Sequence, residues 1–260
     1  MRRCALITGS ATGVGAAAAL AFARRGYDVL VDYSTSEAEA NATERACREA
    51  GADAIAVRGD VADDAACRRL VQTALDRWKR LDVLVNNAGV TTFAGADWEK
   101  LDAEAFQRIF AVNLVGAFQM IRAAAPHLKA SRGAVVNVSS IAGALGIGSS
   151  VPYVASKGAL NSMTLHLARA LAPEVRVNAV CPGLLTTRWV PRGIGQEAYE
   201  KLRASYEAGA PLATACTAED VAEAIVWLAD GAHTVTGEIL LLDSGTHLGP
   251  APRIPQGKPG

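Results

Sequence analysis

The sequence predicts an α/β fold: a single domain built on a doubly wound, seven-stranded parallel sheet flanked by helices. Three observations carry this. Short, continuously apolar runs alternate with helical stretches along the chain, the pattern of a parallel sheet covered on both faces. No internal repeat or composition break divides that alternation, so it reads as one domain over residues 1–248, with a Pro/Gly-rich tail at 249–260. The 260 residues are 50% hydrophobic and 20% charged, enough for a large core and too apolar for disorder.

The elements follow in order. Residues 3–8 (RCALIT) are a short buried strand that runs directly into glycine. Residues 13–25 are Ala-rich, hence helical, and Gly26 closes them. A second strand spans 27–33 (YDVLVDY), and a polar helix spans 37–50, closed by Gly51. Residues 53–58 are a third strand. The stretch 63–79 places Leu70, Val71, Ala74, Leu75 and Trp78 at helical spacing. Residues 81–86 (LDVLVN) form the fourth strand, 102–130 one long helix and 133–139 the fifth strand. A helix over 151–171 ends near Pro173, and 175–181 (VRVNAVC) is the sixth strand. Thr217 caps a helix over 218–229, with Asp220 near its N-terminal dipole. Residues 238–242 (EILLL) are the last strand. Residues 184–212 break the rhythm, with a helix expected at 196–208.

Composition excludes several classes of function. The 26 basic and 26 acidic side chains cancel, removing the footprint of a nucleic-acid or membrane-surface binder. Cys4, Cys47, Cys67, Cys181 and Cys216 are scattered without a CxxC, so no disulfide framework or zinc knuckle is expected. The four histidines have no paired spacing, and no metal site is expected. The apolar run in MRRCALITGS is too short for a signal peptide, and no transmembrane run is expected. The expectation is a reduced, cytoplasmic protein.

The first strand leads into Thr8-Gly9-Ser10-Ala11-Thr12-Gly13-Val14-Gly15. Glycines at a strand-to-helix turn let backbone approach a pyrophosphate, and the helix beyond offers unpaired N–H groups. Such a turn is also found as plain architecture. Its position in the first βα unit favours a Rossmann-type nucleotide site.

Tyr153 and Lys157, four apart on a predicted helix, share a face. A free tyrosine titrates near 10, too high for efficient acid/base work at neutral pH. A neighbouring ammonium favours the phenolate and lowers that value.

With Asp60-Val61, Asn86-Asn87-Ala88-Gly89, Asn113, Ser140, Tyr153-x-x-x-Lys157 and Pro182-Gly183, the chain resembles the short-chain dehydrogenase/reductases over about residues 3 to 248. The resemblance is to the compact branch typified by 3-oxoacyl-carrier-protein reductases. It implies a metal-independent oxidoreductase that interconverts a carbonyl and a secondary alcohol by hydride transfer. Gly9, Gly13 and Gly15 would line the pyrophosphate, with Thr12 and Val14 close by. Asp60 would contact the adenine beside Val61. Asn86, Ala88 and Gly89 would wall the adenosine ribose and brace the fourth strand. Pro182 and Gly183 would pass the nicotinamide face, with Leu185 and Thr187 bonding its carboxamide. Tyr153 would be the acid/base, and Lys157 would tune it and hold the nicotinamide ribose. Ser140, rather than Ser139, would position the substrate oxygen. Asn113 would hold a relay water.

Coenzyme choice falls at the end of the second strand, where an acid favours NAD and a base favours NADP. Tyr33 occupies the place of the acid, Asp32 should face the other way, and Ser34, Thr35 and Ser36 could bond a phosphate. NADP(H) is therefore the expected coenzyme and NAD(H) the second option, although the basic residues common at 34 or 12 are here Ser34 and Thr12.

Residues 187–212 should form a substrate lid, and Trp189 and the loop 141–151 should shape the pocket. Tyr199, Leu202 and Tyr206 read mostly as the buried stripe of a short helix. Lys129, Arg132, Arg169 and Arg176 could present a basic surface to an acyl carrier protein, though ordinary solvated charges explain them equally. Cys181 reads as a small core hydrophobe. By resemblance a homodimer or homotetramer forms through the helices at 102–130 and 151–171, and the tail reaches a neighbouring subunit. The substrate is a small carbonyl or alcohol, a 3-oxoacyl thioester or another ketone or polyol. The competing reading is a regulatory protein that senses NADP(H) without turnover, for which a complete Tyr–Lys–Ser set has no use.

Overall fold

The computed structural model describes residues 2–94 and 97–249. Its seven strands are β1 (Cys4–Ile7), β2 (Asp28–Tyr33), β3 (Ala54–Arg58), β4 (Val83–Asn86), β5 (Ala134–Val138), β6 (Arg176–Pro182) and β7 (Ile239–Leu242). All pair in parallel in the order β3-β2-β1-β4-β5-β6-β7. The order reverses at β1, which pairs with β2 on one side and β4 on the other. In such sheets the crevice for a ligand opens at the carboxyl ends of the strands flanking that reversal.

Alternation along each strand feeds two cores. Ala5, Ile7, Val29, Val31, Val83, Val85 and Val136 pack under α1 (Gly13–Arg24), α2 (Glu37–Glu49) and α10 (Ala218–Val226). Cys4, Leu6, Leu30, Leu84, Val135 and Val177 pack under α3 (Asp64–Trp78), α5 (Ala117–Ser131) and α7 (Val151–Leu171). Because both faces are covered, the strands read as continuous apolar runs. Asp82 pins the start of the central pair: its carboxylate accepts the Cys4 N–H at 2.8 Å and the Arg80 guanidinium at 2.6 and 2.9 Å.

The helix expected over 102–130 forms in two parts. α4 (Ala103–Phe110) and α5 are joined by a wide π-helical turn, Ala111–Gly116. The wider turn buries Asn113 while Gly116 meets Val61, where a Cβ would lie 2.7 Å from Val61 Cγ2. Among the described residues, this 103–131 stretch is the one helix apolar and long enough to cross a bilayer by composition, and here it packs on α3 and α7. A second π-helical turn, Trp227–Gly231, ends the helix expected over 218–229. That helix begins with the expected cap, now a reciprocal box: Asp220 N–H donates to Thr217 Oγ1 at 3.1 Å, and Thr217 N–H to Asp220 Oδ2 at 2.8 Å.

Residues 184–212 hold two helices, α8 (Trp189–Ile194) and α9 (Gln196–Gly209). The first was not expected from sequence, since Pro191 and Gly193 are poor helix formers. Gly193 is required there: a Cβ would enter the ring of Phe93. Residues 250–260, and the reach expected for them, lie outside the described residues.

The short helix α6 (Ala142–Leu145) lies on α7, and Gly143 faces the Lys157–Gly158 backbone so closely that a Cβ would overlap the Lys157 carbonyl group. Gly143→Ala is expected to destabilise the protein by about 1–3 kcal/mol, as overpacking does. A urea titration that leaves the midpoint unchanged would refute this tight α6–α7 contact.

Candidate active site

The turn after β1 is built by contacts with the end of β4. Asn87 Nδ2 donates to the Thr8 and Gly9 carbonyls at 3.0 and 2.9 Å. Thr8 Oγ1 accepts the Asn87 and Ala88 N–H groups, both at 3.0 Å. Approach this close excludes side chains. A Cβ on Gly9 (φ +59°) would lie 2.8 Å from Ala88 Cα, and one on Gly15 2.5 Å from Asn87 Nδ2. Gly13 differs: it also has φ +59°, but a Cβ there would meet only Thr187 Cγ2 at 3.9 Å, so it fronts open space. Thr12 stands at the N-cap of α1 and its hydroxyl caps nothing; the first turn, which includes Val14, carries no acid. The sequence reading assigned no role to Thr8 or to the Asn87 side chain. Their backbone bonds are the part of the site it missed.

At the end of β2, Asp32 and Tyr33 face opposite sides, as expected. Asp32 turns toward the α3 face and accepts the Gly9 N–H through Oδ2 at 3.0 Å, while Oδ1 has no partner among the described residues. Burial pushes its carboxyl up to about 7, against the lowering effect of the Gly9 hydrogen bond. Tyr33 packs on the α1–α2 face. Ser34 and Thr35 are exposed beyond it. After β3, Asp60 closes a turn on the Ala62 N–H at 3.0 Å, and Asp63, not Asp60, caps α3. Val61 is buried against Gly116, so its side chain serves the core. The Asn86 side chain braces β4: its amide donates to Asn137 Oδ1 at 2.9 Å. The other predicted wall residues, Ala88 and Gly89, are half-buried at the crevice.

Beyond β5 the candidate catalytic side chains converge. α7 places Tyr153 and Lys157 one turn apart, with Lys157 Nζ 5.7 Å from the Tyr153 ring centre. Lys157 is 4% exposed and donates to the Val138 carbonyl at 2.8 Å. That uses one of its three donors. Burial lowers its ammonium from 10.5 to about 8. Contrary to the lowering expected from the Lys157 ammonium, burial pushes the Tyr153 phenol up, and the counteracting pull comes from the Ser140 side chain. Ser140 Oγ accepts the Ala142 N–H at 3.1 Å, whereas Ser139 Oγ turns away to the Lys157 carbonyl at 3.2 Å. Asn113 is held from two sides. Its oxygen accepts the Val90 N–H at 2.8 Å, and its nitrogen donates to the Val90 carbonyl at 3.0 Å and to Ser156 Oγ at 3.1 Å. Asn113 Oδ1 and Lys157 Nζ lie 3.6 and 3.7 Å from the position of a Cβ on Gly89. Cys181 is fully buried, and burial pushes its thiol up.

The far wall follows β6. Gly183 donates to the Leu242 carbonyl at 2.8 Å, and Tyr206 lies over it where a Cβ would be. Tyr206 also donates to the Asp243 carbonyl at 2.7 Å, and Tyr199 to the Leu185 carbonyl at 3.3 Å. These two tyrosines anchor α9. Leu202, expected in the same buried stripe, is 44% exposed. Pro182 pairs with Leu242 at the strand end, and Thr187 faces Gly13. A groove of about 710 Å³ runs from Thr12 and Gly13 between α1 and α2 to Thr186–Arg188. Arg176 leaves the expected basic surface: its guanidinium is half-buried and bonded to the carbonyls of Leu228, Ala229 and Ala232, holding the π-helical turn after α10.

A parallel sheet with a glycine turn at its reversal and a buried lysine beside a tyrosine defines a class, the nucleotide-binding α/β oxidoreductases. A family model described as enoyl-(acyl carrier protein) reductase matches residues 9–247. "Granaticin polyketide synthase putative ketoacyl reductase 2" of Streptomyces violaceoruber is 42% identical over 94% of this chain and 96% of its own. "Cis-4-hydroxycyclohexanecarboxylate dehydrogenase" of Sinomonas cyclohexanicum is 39% identical over 94% and 96%. The crystal structure of a "putative short-chain dehydrogenase/reductase" from Burkholderia xenovorans has a TM-score of 0.88 at 38% identity, covering 95% of this chain and 99% of that one. The chain belongs to the short-chain dehydrogenase/reductase family, and as such is an oxidoreductase of CH–OH and C=O groups.

The buried lysine makes stability depend on pH. Between about 8 and 10.5 the unfolded chain retains a proton that folded Lys157 has lost, so folding is favoured as pH rises through that window. Wild type is therefore expected to gain about 2 kcal/mol relative to Lys157→Met between pH 8 and 10. Urea titrations of both proteins measure the difference, and a constant gap across the window would contradict a depressed Lys157.

Proposed function

We propose that this protein reduces a largely apolar ketone to its secondary alcohol, or runs the reverse, with NADP(H) preferred over NAD(H). The observation that carries the reading is the convergence of Ser140, Tyr153 and Lys157 at the carboxyl edge of the sheet, with Lys157 beside Gly89.

The residues present fit a dinucleotide. The open space at Gly13, the uncapped and acid-free start of α1 and the free donors of Lys157 suit phosphates and ribose hydroxyls. Gly9, Thr12, Gly13, Val14 and Gly15 would hold the pyrophosphate. Tyr33, Ser34 and Thr35 would border the adenosine ribose, where the missing acid favours a 2′-phosphate. Asp60 would meet the adenine, and Ala88 and Gly89 would flank the route to the nicotinamide end. Pro182, Gly183, Leu185 and Thr187 would border that end. A bound nicotinamide dinucleotide supplies the hydride, or takes it up in the reverse direction.

Tyr153 then gives its proton to the carbonyl oxygen as hydride reaches carbon, and in reverse its phenolate takes the alcohol proton. Ser140 holds that oxygen. Lys157 favours the phenolate by its charge and binds ribose hydroxyls with its two remaining donors. Asn113 orders the Val90 loop and Ser156 around the proton path. α8 and α9 act as the lid. Leu145, Ile147, Val151, Trp189 and Ile194 are exposed on the segments flanking the site. This apolar rim supports a ring or acyl-chain ketone over a polyol. It also accords with the ketoacyl reductase and cyclohexanecarboxylate dehydrogenase among the relatives. Phe106, Val115 and Phe118 on the α4–α5 stretch and Leu165 on α7 are exposed and support self-association.

Tyr153→Phe is expected to lower kcat by about 10²–10⁴ while leaving coenzyme affinity within about twofold, because only proton transfer is lost. NADPH oxidation with an acetoacetyl thioester and with a substituted cyclohexanone measures it. Retained turnover in the variant would remove Tyr153 as the acid/base.

A further inference from the structure

We propose that Arg58, at the end of β3, is the cation that selects the coenzyme by binding the adenosine 2′-phosphate. This rests on the NADP(H) reading and names the residue that would enforce it. Neither Ser34 nor Thr12 carries charge, so that reading otherwise lacks a cation.

Arg58 is the register partner of Tyr33 across the β2–β3 ladder, so the two occupy the same height at the carboxyl edge of the sheet. Its side chain crosses to β2 and donates through Nε to the Ser34 carbonyl at 3.1 Å. That bond fixes the guanidinium beside residues 34–36. Its two Nη groups make no hydrogen bond or ion pair among the described residues. A guanidinium anchored by Nε keeps a fork of donors that matches phosphate geometry.

The surroundings suit an anion. The hydroxyls of Ser34, Thr35 and Ser36 make no hydrogen bond among the described residues, and Ser36 stands at the N-cap of the 13-residue helix α2 without capping it. The N–H groups of that first turn follow directly in the chain, and uncapped groups of this kind favour an anion. Two acids in the turn, Glu37 and Glu39, would oppose a phosphate, and one of them is neutralised by an ion pair. Glu39 pairs with Arg188 at 2.9 Å. Burial and the charge of the nearby Glu37 together push the Tyr33 phenol up.

The test compares binding of NADPH, NADH, 2′,5′-ADP and 5′-AMP to wild type and Arg58→Gln by fluorescence and calorimetric titration. The two adenosine phosphates report the 2′-phosphate apart from nicotinamide and turnover. Wild type should bind NADPH at least tenfold tighter than NADH, and 2′,5′-ADP at least tenfold tighter than 5′-AMP. Arg58→Gln should remove most of both preferences, with NADH and 5′-AMP changed less than twofold. Arg58→Lys, which keeps charge but loses the fork, should fall between. Equal weakening of all four ligands would make Arg58 a support for the Ser34 backbone and overturn the proposal. A wild-type preference that survives Arg58→Gln would overturn it while leaving the NADP(H) reading intact. A wild type that does not distinguish 2′,5′-ADP from 5′-AMP would instead overturn the NADP(H) reading itself.

Discussion

Two backbones meet at the point where β1 hands the chain across to β4, and the geometry of the candidate site depends on how close they come. Asn87 acts as the fastener. Its side-chain amide holds two carbonyls of the glycine turn, and Thr8 returns the bond to two N–H groups of the opposite loop. The distance they set leaves no room for a Cβ at Gly9 or Gly15. The glycines are thus a consequence of the fastening as well as a means of approaching a phosphate. The same fastening places Ala88 and Gly89 next to the turn, and Gly89 next to Lys157. Shifting the β1–β4 junction would move the glycine turn and the surroundings of Lys157 together.

The reactive side chains are held in an environment that opposes their charge. Lys157 is buried with one carbonyl partner, and the Tyr153 phenol is pushed up. Neither arrangement favours folding: burial makes the Lys157 ammonium readier to lose its proton and the Tyr153 phenol readier to keep it. The surrounding structure fixes them regardless. Ser139 holds the Lys157 carbonyl, α6 presses Gly143 on the same peptide, and Ser156, between the two residues on α7, is hydrogen-bonded to Asn113. The π-helical turn fits this picture. By widening the helix at Asn113 it lets one side chain join the Val90 loop to α7. Such turns are frequent where function needs a local exception to helical regularity.

Most of the sheet was legible because burial on both faces leaves an unmistakable record: β1 is an unbroken apolar run, β2 is interrupted only by Asp28 and Asp32, and β4 is apolar up to Asn86. The α7 helix was legible from its ends. What could not be read were features whose signal is a distance between segments. Asn113 stood out by resemblance, but its bonds to Val90 and Ser156 leave no trace in the sequence around it. Arg176 looks like a surface charge until three carbonyls of the turn after α10 surround it. Helix α8 contains Pro191 and Gly193, which local propensity counts against a helix, and Gly193 makes sense only once Phe93 is packed on it. Asp60 and Asp63 are indistinguishable as caps by type, and only the Ala65 and Ala66 N–H groups choose between them.

The two ends of the site are consequently under different constraints. The turn side is fixed by sheet register and by glycines that tolerate no side chain. The substrate side is carried by α8 and α9, which rest on the body through few contacts: Tyr199 on Leu185, Tyr206 on Gly183 and Asp243, and Gly193 on Phe93. Those anchors fix where the segment sits and leave Trp189, Ile194 and Leu202 exposed. Side chains there can change without disturbing the sheet, so under the proposed reading the chemistry would be written into the core and the choice of ketone into a segment that the core barely constrains. The apolar rim is therefore evidence about the substrate and says little about the reaction, while the Tyr153–Lys157 pair is evidence about the reaction and says little about the substrate.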